Sequence, residues 1–232
     1  MAICAVVFPW IGQERRNGHI RRWSTRLLAL CNVTVEQSAF GTPAAVPAQA
    51  MVVANHVSWL DIFVLHSLYP SHFVAKAEIR SWPLAGWLAE KAGTVFIARG
   101  NRRDLRQLFQ GLVHTLERGE RVAFFPEGTT AAQGNLLPFH ANLFEAAIDA
   151  RVPLQPFALR YLDQAGALHH VVDFIGEMTF AESIVAILSG PPVTARVAVL
   201  PAIDTTGAHR RELAEAAYQA VAAALAVTPH PV

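Results

Sequence analysis

Cysteine is nearly missing from this 232-residue chain, with Cys4 and Cys31 the only two. Two distant cysteines build neither a disulfide framework nor a zinc site, and their separation matches no redox motif, so a reducing compartment is expected. Charge is also sparse, at 16% of residues against 53% hydrophobic. Even so, no apolar run approaches the ~18–20 residues needed to cross a bilayer. The run from Ala2 to Ile11 is short, is broken by Pro9, and lacks a small-residue cleavage pattern behind a charged start. The chain therefore reads as cytosolic or peripheral, with its apolar surplus turned to a core, a groove or a membrane face. Several catalytic signatures are absent too. There is no Gly-x-Ser-x-Gly elbow, which excludes the usual serine acyl-enzyme. There is no His-Glu-x-x-His, P-loop or dinucleotide glycine fingerprint, so no metal and no cofactor is implied.

The charge that is present is unevenly placed. Residues 1–30 hold Arg15, Arg16, Arg21, Arg22 and Arg26 against Glu14, and Lys76–Arg106 holds seven basic residues against three acidic, each zone netting +4 in a chain of net charge +1. Two basic zones on a nearly neutral protein suit an anionic membrane surface or a phosphorylated ligand. Nucleic acid is not expected, because the aromatics near these zones sit in apolar segments and no recognition motif appears.

From residue 14 to 31 the arginines alternate with Trp23, Leu27, Leu28 and Leu30, the pattern of a basic amphipathic helix. It suits a membrane surface as well as it suits ordinary packing on a domain. Gly41–Pro47 reads as a small-residue linker, so residues 1–40 are set apart from a main domain at 41–232. Strand-like runs at 50–54, 72–75, 94–98, 121–125, 154–160, 168–174 and 193–200 alternate with helix-period segments such as Leu105-Leu108-Phe109-Leu112-Leu116. Strands this apolar, separated this regularly by helices, predict an α/β fold with a central, largely parallel sheet covered by helices on both faces.

Two polar motifs stand at strand exits, where open α/β sheets place their ligands. Asn55-His56-Val57-Ser58-Trp59-Leu60-Asp61 follows Met51-Val52-Val53-Ala54. With Ser58 as the cap of a helix, Asp61 lies in its first turn and His56 just before it, so the side chains can meet. An aspartate on one imidazole nitrogen fixes the tautomer and supports the imidazolium formed when the other nitrogen takes a proton. Ser58-x-x-Asp61 also matches a capping box, which explains Asp61 without catalysis. The second motif, Phe125-Pro126-Glu127-Gly128-Thr129-Thr130, sets a carboxylate, a glycine and hydroxyls at a strand exit, able to bind a polyol or a phosphate. A third, Gly93-Thr94-Val95-Phe96-Ile97-Ala98-Arg99, ends in an arginine fork suited to phosphate, followed by Arg102 and Arg103. What remains is a base without a protein nucleophile, fit to activate a substrate hydroxyl.

Taken together, Asn55-His56 to Asp61, Gly93 to Arg99, Phe125 to Thr129 and Val152-Pro153-Leu154-Gln155-Pro156 resemble, in order and spacing, the motifs of the glycerolipid and lysophospholipid acyltransferase family. The resemblance covers about residues 50–160. It implies transfer of a fatty acyl group from a thioester, acyl-CoA or acyl-carrier protein, to a lysophospholipid hydroxyl, with His56 as base and Asp61 orienting it. It further implies that Arg99, Glu127 and Gly128 hold the acceptor's phosphate and glycerol, with Thr129, Thr130 and His140 completing the contact set. The acceptor so implied is 1-acyl-glycerol-3-phosphate, at the cytoplasmic face of the inner membrane. The chain departs from the family where Thr130 replaces an arginine and where Phe139-His140-Ala141-Asn142 replaces Phe-Lys-x-Gly; Gln155 also interrupts an apolar strand. These departures open the alternative of another lyso-lipid, such as lyso-ornithine lipid. A thioester hydrolase and a non-catalytic lipid-binding module are the other readings. Arg102, Arg103 and Arg106 are candidates to meet an acidic carrier protein, and Trp82–Leu88 to line an acyl slot.

Overall fold

The computed structural model describes residues 12–39, 45–77, 94–97 and 102–226, apart from the side chains of residues 76, 97 and 102–105. Its centre is a seven-stranded sheet of β1 (Val33–Ala39), β2 (Ala50–Ala54), β3 (His72–Lys76), β4 (Val95–Ile97), β5 (Arg121–Phe124), β6 (Leu154–Leu162) and β7 (Val193–Val199), in the order β1-β7-β6-β2-β5-β3-β4. Neighbours run parallel except β6 and β7, which are antiparallel. The predicted α/β class and largely parallel sheet are thus observed. The helices are α1 (Gln13–Leu30), α2 (Leu60–Leu68), α3 (Arg102–Glu117), α4 (Glu145–Asp149), α5 (Phe180–Ser189) and α6 (Arg210–Leu225).

Successive strand side chains point to opposite faces, so a strand buried on both sides must be apolar throughout. β2 meets this demand: all five of its residues are buried. Val52 and Ala54 enter one core with Leu28 of α1, Leu60, Val64 and Leu65 of α2, and Ile187 of α5. Met51 and Val53 enter the other with Leu112 and Leu116 of α3, Ala146 and Ala147 of α4, and Leu213, Ala214 and Ala217 of α6. Helices α1, α2 and α5 therefore cover one face, and α3, α4 and α6 the other.

Three features differ from the sequence expectations. The predicted strand 168–174 is replaced by a 3₁₀ turn at His170–Val172. Leu168 and His169 alone of this run bond to the sheet, Leu168 bridging Leu162 and the His169 N–H donating to the Tyr161 carbonyl at 2.8 Å. The His170 Nδ1–Asp173 Oδ2 contact at 2.9 Å curls the chain there, so His169 and His170 are not the opposed pair a strand would make. Elements that the sequence did not lead one to expect include β1 and α5. The first lies inside the 1–40 segment yet pairs with β7 along its whole length. The second is closed at its start by a Thr179–Glu182 capping box.

The one reversal in the sheet has a positional result. Because β7 and β1 run against β6, their starts lie at the edge where β6 ends, past the end of β2: Ala54 is level with Phe157 and Val199, whereas Thr194 is level with Leu162. The C-terminal ends of α1 and α5 are delivered to that same edge, and the Val193 N–H donates to the Asn32 carbonyl at 3.0 Å. Asn32 takes a left-handed φ of +56°, a conformation asparagine tolerates better than most residues.

Candidate active site

The chain leaves β2 through Asn55, whose buried amide imitates a strand partner. Its Nδ2 donates to the Leu159 carbonyl at 3.0 Å, and its Oδ1 accepts the Leu159 N–H at 2.7 Å. This double bond to β6 ends the ladder and turns the next residue, His56, out at the sheet's edge.

His56 is held on four sides. Its Nδ1 meets Asp61 Oδ2 at 2.7 Å. Its N–H donates to Glu127 Oε1 at 2.7 Å, and its carbonyl accepts the Ala131 N–H at 2.8 Å. Its ring lies flat on Phe125, with centroids 4.0 Å apart and planes 6° from parallel. The side chain keeps 18% of its surface open.

Asp61 is fully buried and serves as an organising acceptor. Oδ2 accepts the Val57 and Ser58 N–H groups at 2.7 and 3.0 Å as well as the imidazole. Oδ1 accepts the Tyr161 hydroxyl at 2.6 Å. Since Oδ2 already accepts two backbone hydrogens, its partner Nδ1 is the protonated ring nitrogen, leaving Nε2 with the lone pair. Nε2 makes no hydrogen bond among the described residues. The capping box is only half formed. Asp61 reaches back to Ser58 N–H, but Ser58 Oγ is buried without a hydrogen-bond partner and α2 starts with no side-chain cap. The aspartate's position therefore reflects the imidazole and the tyrosine as much as the helix end.

The second loop, residues 125–140, closes on itself through the His140 N–H and the Pro126 carbonyl at 2.9 Å, as a compact Ω-loop. Glu127 turns inward, 3% exposed, and its second oxygen accepts the Leu137 N–H at 2.8 Å. Burial pushes its carboxyl up to about 7, although both backbone donors pull the other way. The Thr130 hydroxyl donates to the Phe174 carbonyl. Gly128 has a φ of +71° and stays exposed, as do Thr129 and His140. A Cβ on Gly128 would sit 3.3 Å from the His140 ring, so those two residues share one patch. Gln155 spends its amide on the Pro156 and Leu200 carbonyls.

Of the residues singled out from sequence, the structure thus brings together His56, Asp61 and Glu127, and keeps Gly128, Thr129 and His140 on the surface of the second loop. Arg99 and Trp82–Leu88 lie outside the described residues, and neither loop contains a lysine or arginine. Two contributors were missed. Tyr161 is fully buried on β6, and burial followed by the nearby Asp61 holds its hydroxyl well above the ordinary range, so it remains a donor. A lone tyrosine in an apolar strand, with a hydroxyl that needs a partner, was the available signal. Gln133 joins three segments, accepting from Tyr161 N–H at 2.6 Å and donating to the His169 carbonyl at 2.9 Å while its N–H meets Asp173. Nothing in the sequence marked it. Among the described residues no group of three or more His, Cys, Asp or Glu is placed to hold a metal ion.

Comparison with known proteins bears on this arrangement. The acyltransferase family profile matches residues 38–160, from the end of β1 through both loops to β6. The chain belongs to the acyltransferase family. Within that family it is 42% identical to the lyso-ornithine lipid O-acyltransferase of Pseudomonas aeruginosa over 212 residues, 91% of this chain and 80% of the other. It is 46% identical to the 1-acyl-sn-glycerol-3-phosphate acyltransferase of Neisseria meningitidis over 154 residues, 66% of this chain. That match spans 59% of the Neisseria protein's length. The crystal structure of the 1-acyl-sn-glycerophosphate acyltransferase PlsC from Thermotoga maritima superposes on this acyltransferase with a TM-score of 0.67 at 19% identity. It covers 96% of this chain and 84% of that one, which shows a shared fold.

Proposed function

We propose that the chain transfers a fatty acyl group from acyl-CoA or acyl-carrier protein to the free hydroxyl of a lysophospholipid, with 1-acyl-glycerol-3-phosphate as acceptor and phosphatidic acid as product. The observation that carries this reading is the His56–Asp61 contact at 2.7 Å with Nε2 left open at the sheet's ligand edge. Nε2 takes the proton as the acceptor oxygen attacks the thioester carbonyl. The tetrahedral adduct then collapses, the C–S bond breaks, and the imidazolium returns its proton to the sulfur. A thiol of ordinary pKa ~8.5 leaves with little assistance, so a second acid is not needed. Asp61 holds the ring and balances its transient charge. Glu127 and Thr130 act by shaping the second loop, while Gly128, Thr129, His140 and Arg99 meet the acceptor headgroup.

A specific observation favours lyso-ornithine lipid as the second acceptor. The Thr130 hydroxyl, where the family often has arginine, is spent on Phe174, and the Pseudomonas enzyme of that name aligns over 91% of this chain. In either case the acceptor is a membrane lipid. We place the protein peripherally on the cytoplasmic face of the inner membrane, with residues 1–40 meeting anionic lipid and 41–232 carrying the chemistry. No described helix is long and apolar enough to cross a membrane.

The test is transfer from a labelled acyl thioester to a panel of lyso-lipids, comparing wild type with His56→Ala. Transfer to lysophosphatidate that falls about 10³-fold in the variant supports the base and the acceptor. Transfer only to lyso-ornithine lipid moves the acceptor assignment to the second reading. Acyl release with no acceptor present points to a hydrolase, and no His56-dependent turnover at all leaves a lipid-binding module.

A further inference from the structure

Among the described residues seven large apolar side chains are exposed: Trp23, Leu30, Leu168, Ile175, Met178, Val185 and Leu188. All but Leu168 lie on α1, on α5 or on the loop entering α5, which is the layer covering one face of the sheet. Among the described side chains, the helices on the opposite face contribute none. Exposed apolar groups concentrated on one side of a protein mark an interaction surface.

We propose that α5 is a second membrane-docking element, working with α1 to seat the catalytic edge on an anionic bilayer. Ala181, Val185 and Leu188 follow one another at helical spacing along the outer side of α5, and Val185 and Leu188 keep 65% and 55% of their surfaces in solvent. The only charge on this helix, Glu182, is spent on the Thr179 cap. Beside it, α1 exposes Arg15, Arg21, Arg22 and Arg26 against Glu14, while Glu177 stands in the entering loop. An apolar stripe next to a predominantly basic helix complements a lipid surface with anionic headgroups, not a neutral protein groove.

Two structural links make α1 and α5 one surface. Trp23, Phe63, Trp59 and Phe180 form a ridge of edge-to-face rings running from α1 across α2 to α5, with centroids 5.0 to 5.9 Å apart. Both helices also end at the starts of β1 and β7, which the Val193 N–H and the Asn32 carbonyl join, so Leu30, 75% exposed, and Leu188 stand at neighbouring strand starts. The surface is coupled to the site as well. The Trp59 indole donates to Ser183 of α5 at 3.1 Å, and Phe174, ahead of α5, bonds through its backbone to both Val57 and Thr130. A bilayer seated on this stripe presents its lyso-lipids to Nε2 without their leaving the membrane. The assignment of a lipid acceptor is the reading on which that last step rests.

The test uses the full chain with Val185→Ser and Leu188→Ser combined, which removes the apolar contribution and adds no charge. Co-sedimentation with vesicles of phosphatidylethanolamine and phosphatidylglycerol should weaken at least about tenfold. High salt should weaken wild type and variant by the same factor, since the arginines remain. Thermal unfolding, and transfer to a short-chain acceptor kept below its micelle concentration, should not change, whereas transfer to vesicle-borne acceptor should fall. Unchanged vesicle binding overturns the proposal. So does self-association of the wild type that the variant abolishes while vesicle binding persists, because the stripe is then an interface between copies. Should the serine pair unfold, Leu188→Trp gives a second reading. Quenching of its added emission by brominated lipid tails supports insertion, and none refutes it. If the wild type acylates no acceptor in any format yet the serine pair still lowers vesicle binding, the catalytic reading fails and the docking surface stands.

Discussion

The two loops that meet at His56 are ordered in opposite ways. The loop from Asn55 to Asp61 is organised from within: one buried carboxylate gathers two N–H groups and the imidazole of its own five neighbours, and takes only Tyr161 from afar. The loop from Phe125 to His140 closes on itself through Pro126–His140 and Glu127–Leu137, but several of its side chains are spent on distant partners. Glu127 ties it to His56, Thr130 to Phe174, and Gln133 to Tyr161, His169 and Asp173. The His56–Asp61 contact is set within one helix start, while Asn55, His56 and Val57 tie the rest of that loop to Leu159, Glu127, Ala131 and Phe174. The second acquires its shape only when β6 and the segment before α5 have docked. On the proposed function the base sits in the loop built around its own carboxylate, and the groups proposed to face the acceptor sit in the other, where headgroup preference can change without disturbing the base.

The largest effect expected from this contrast is at Asp61. Asp61→Ala strands a buried hydroxyl, two N–H groups and the imidazole, and should cost about 3–5 kcal/mol in denaturant unfolding while reducing transfer about 10³-fold. A loss of activity with stability unchanged would show that the loop does not depend on its own aspartate.

Glu127→Gln is expected to come next, with a pH signature of its own. In the folded protein burial raises this carboxyl from the ordinary 4.5 to about 7. The folded state therefore favours the protonated form. Its contribution to stability is fully present below about 4.5 and is lost as pH rises through 7, by up to about 3 kcal/mol. Unfolding measured across that range should show the advantage of wild type over Glu127→Gln shrinking as pH rises. A constant difference would mean that Glu127 only accepts hydrogen bonds and does not titrate there.

The smallest effect is expected at Tyr161→Phe, which removes one donor from Asp61 and keeps the ring. About 1 kcal/mol of stability and roughly fivefold in kcat should be lost, with KM for both substrates unchanged. A rise in KM instead would place Tyr161 in substrate binding and blur the division between the loops.

The same contrast explains what could be read from the chain beforehand. The His56–Asp61 pair was legible because its geometry is local, five positions across one helix start. The strands of the sheet interior were legible because burial on both faces leaves only apolar residues in them, as in Ala50–Ala54. β1 was not, since Val33-Thr34-Val35-Glu36-Gln37-Ser38-Ala39 is an edge strand with Thr34, Glu36, Gln37 and Ala39 exposed, and it carries no continuous apolar run. The strand expected at 168–174 was misread because Val171 and Val172 follow two histidines whose side chains bond locally and curl the chain. Tyr161 and Gln133 join segments 28 to 100 positions apart, and no local pattern reports such a link.

The stacking of Phe125 on His56 bears on fidelity. One face of the imidazole is covered and Nδ1 is occupied, so a hydroxyl can reach Nε2 only within a narrow sector on the side away from Asp61. With His56 as the base of the proposed transfer, water and the lipid hydroxyl compete for that single approach. In the proposed reaction an acceptor lodged there bars hydrolysis of the thioester by occupying the place a water would need. On this view selectivity for transfer over hydrolysis depends on occupancy of the sector, and it should be greatest when the lyso-lipid is saturating and the donor arrives second.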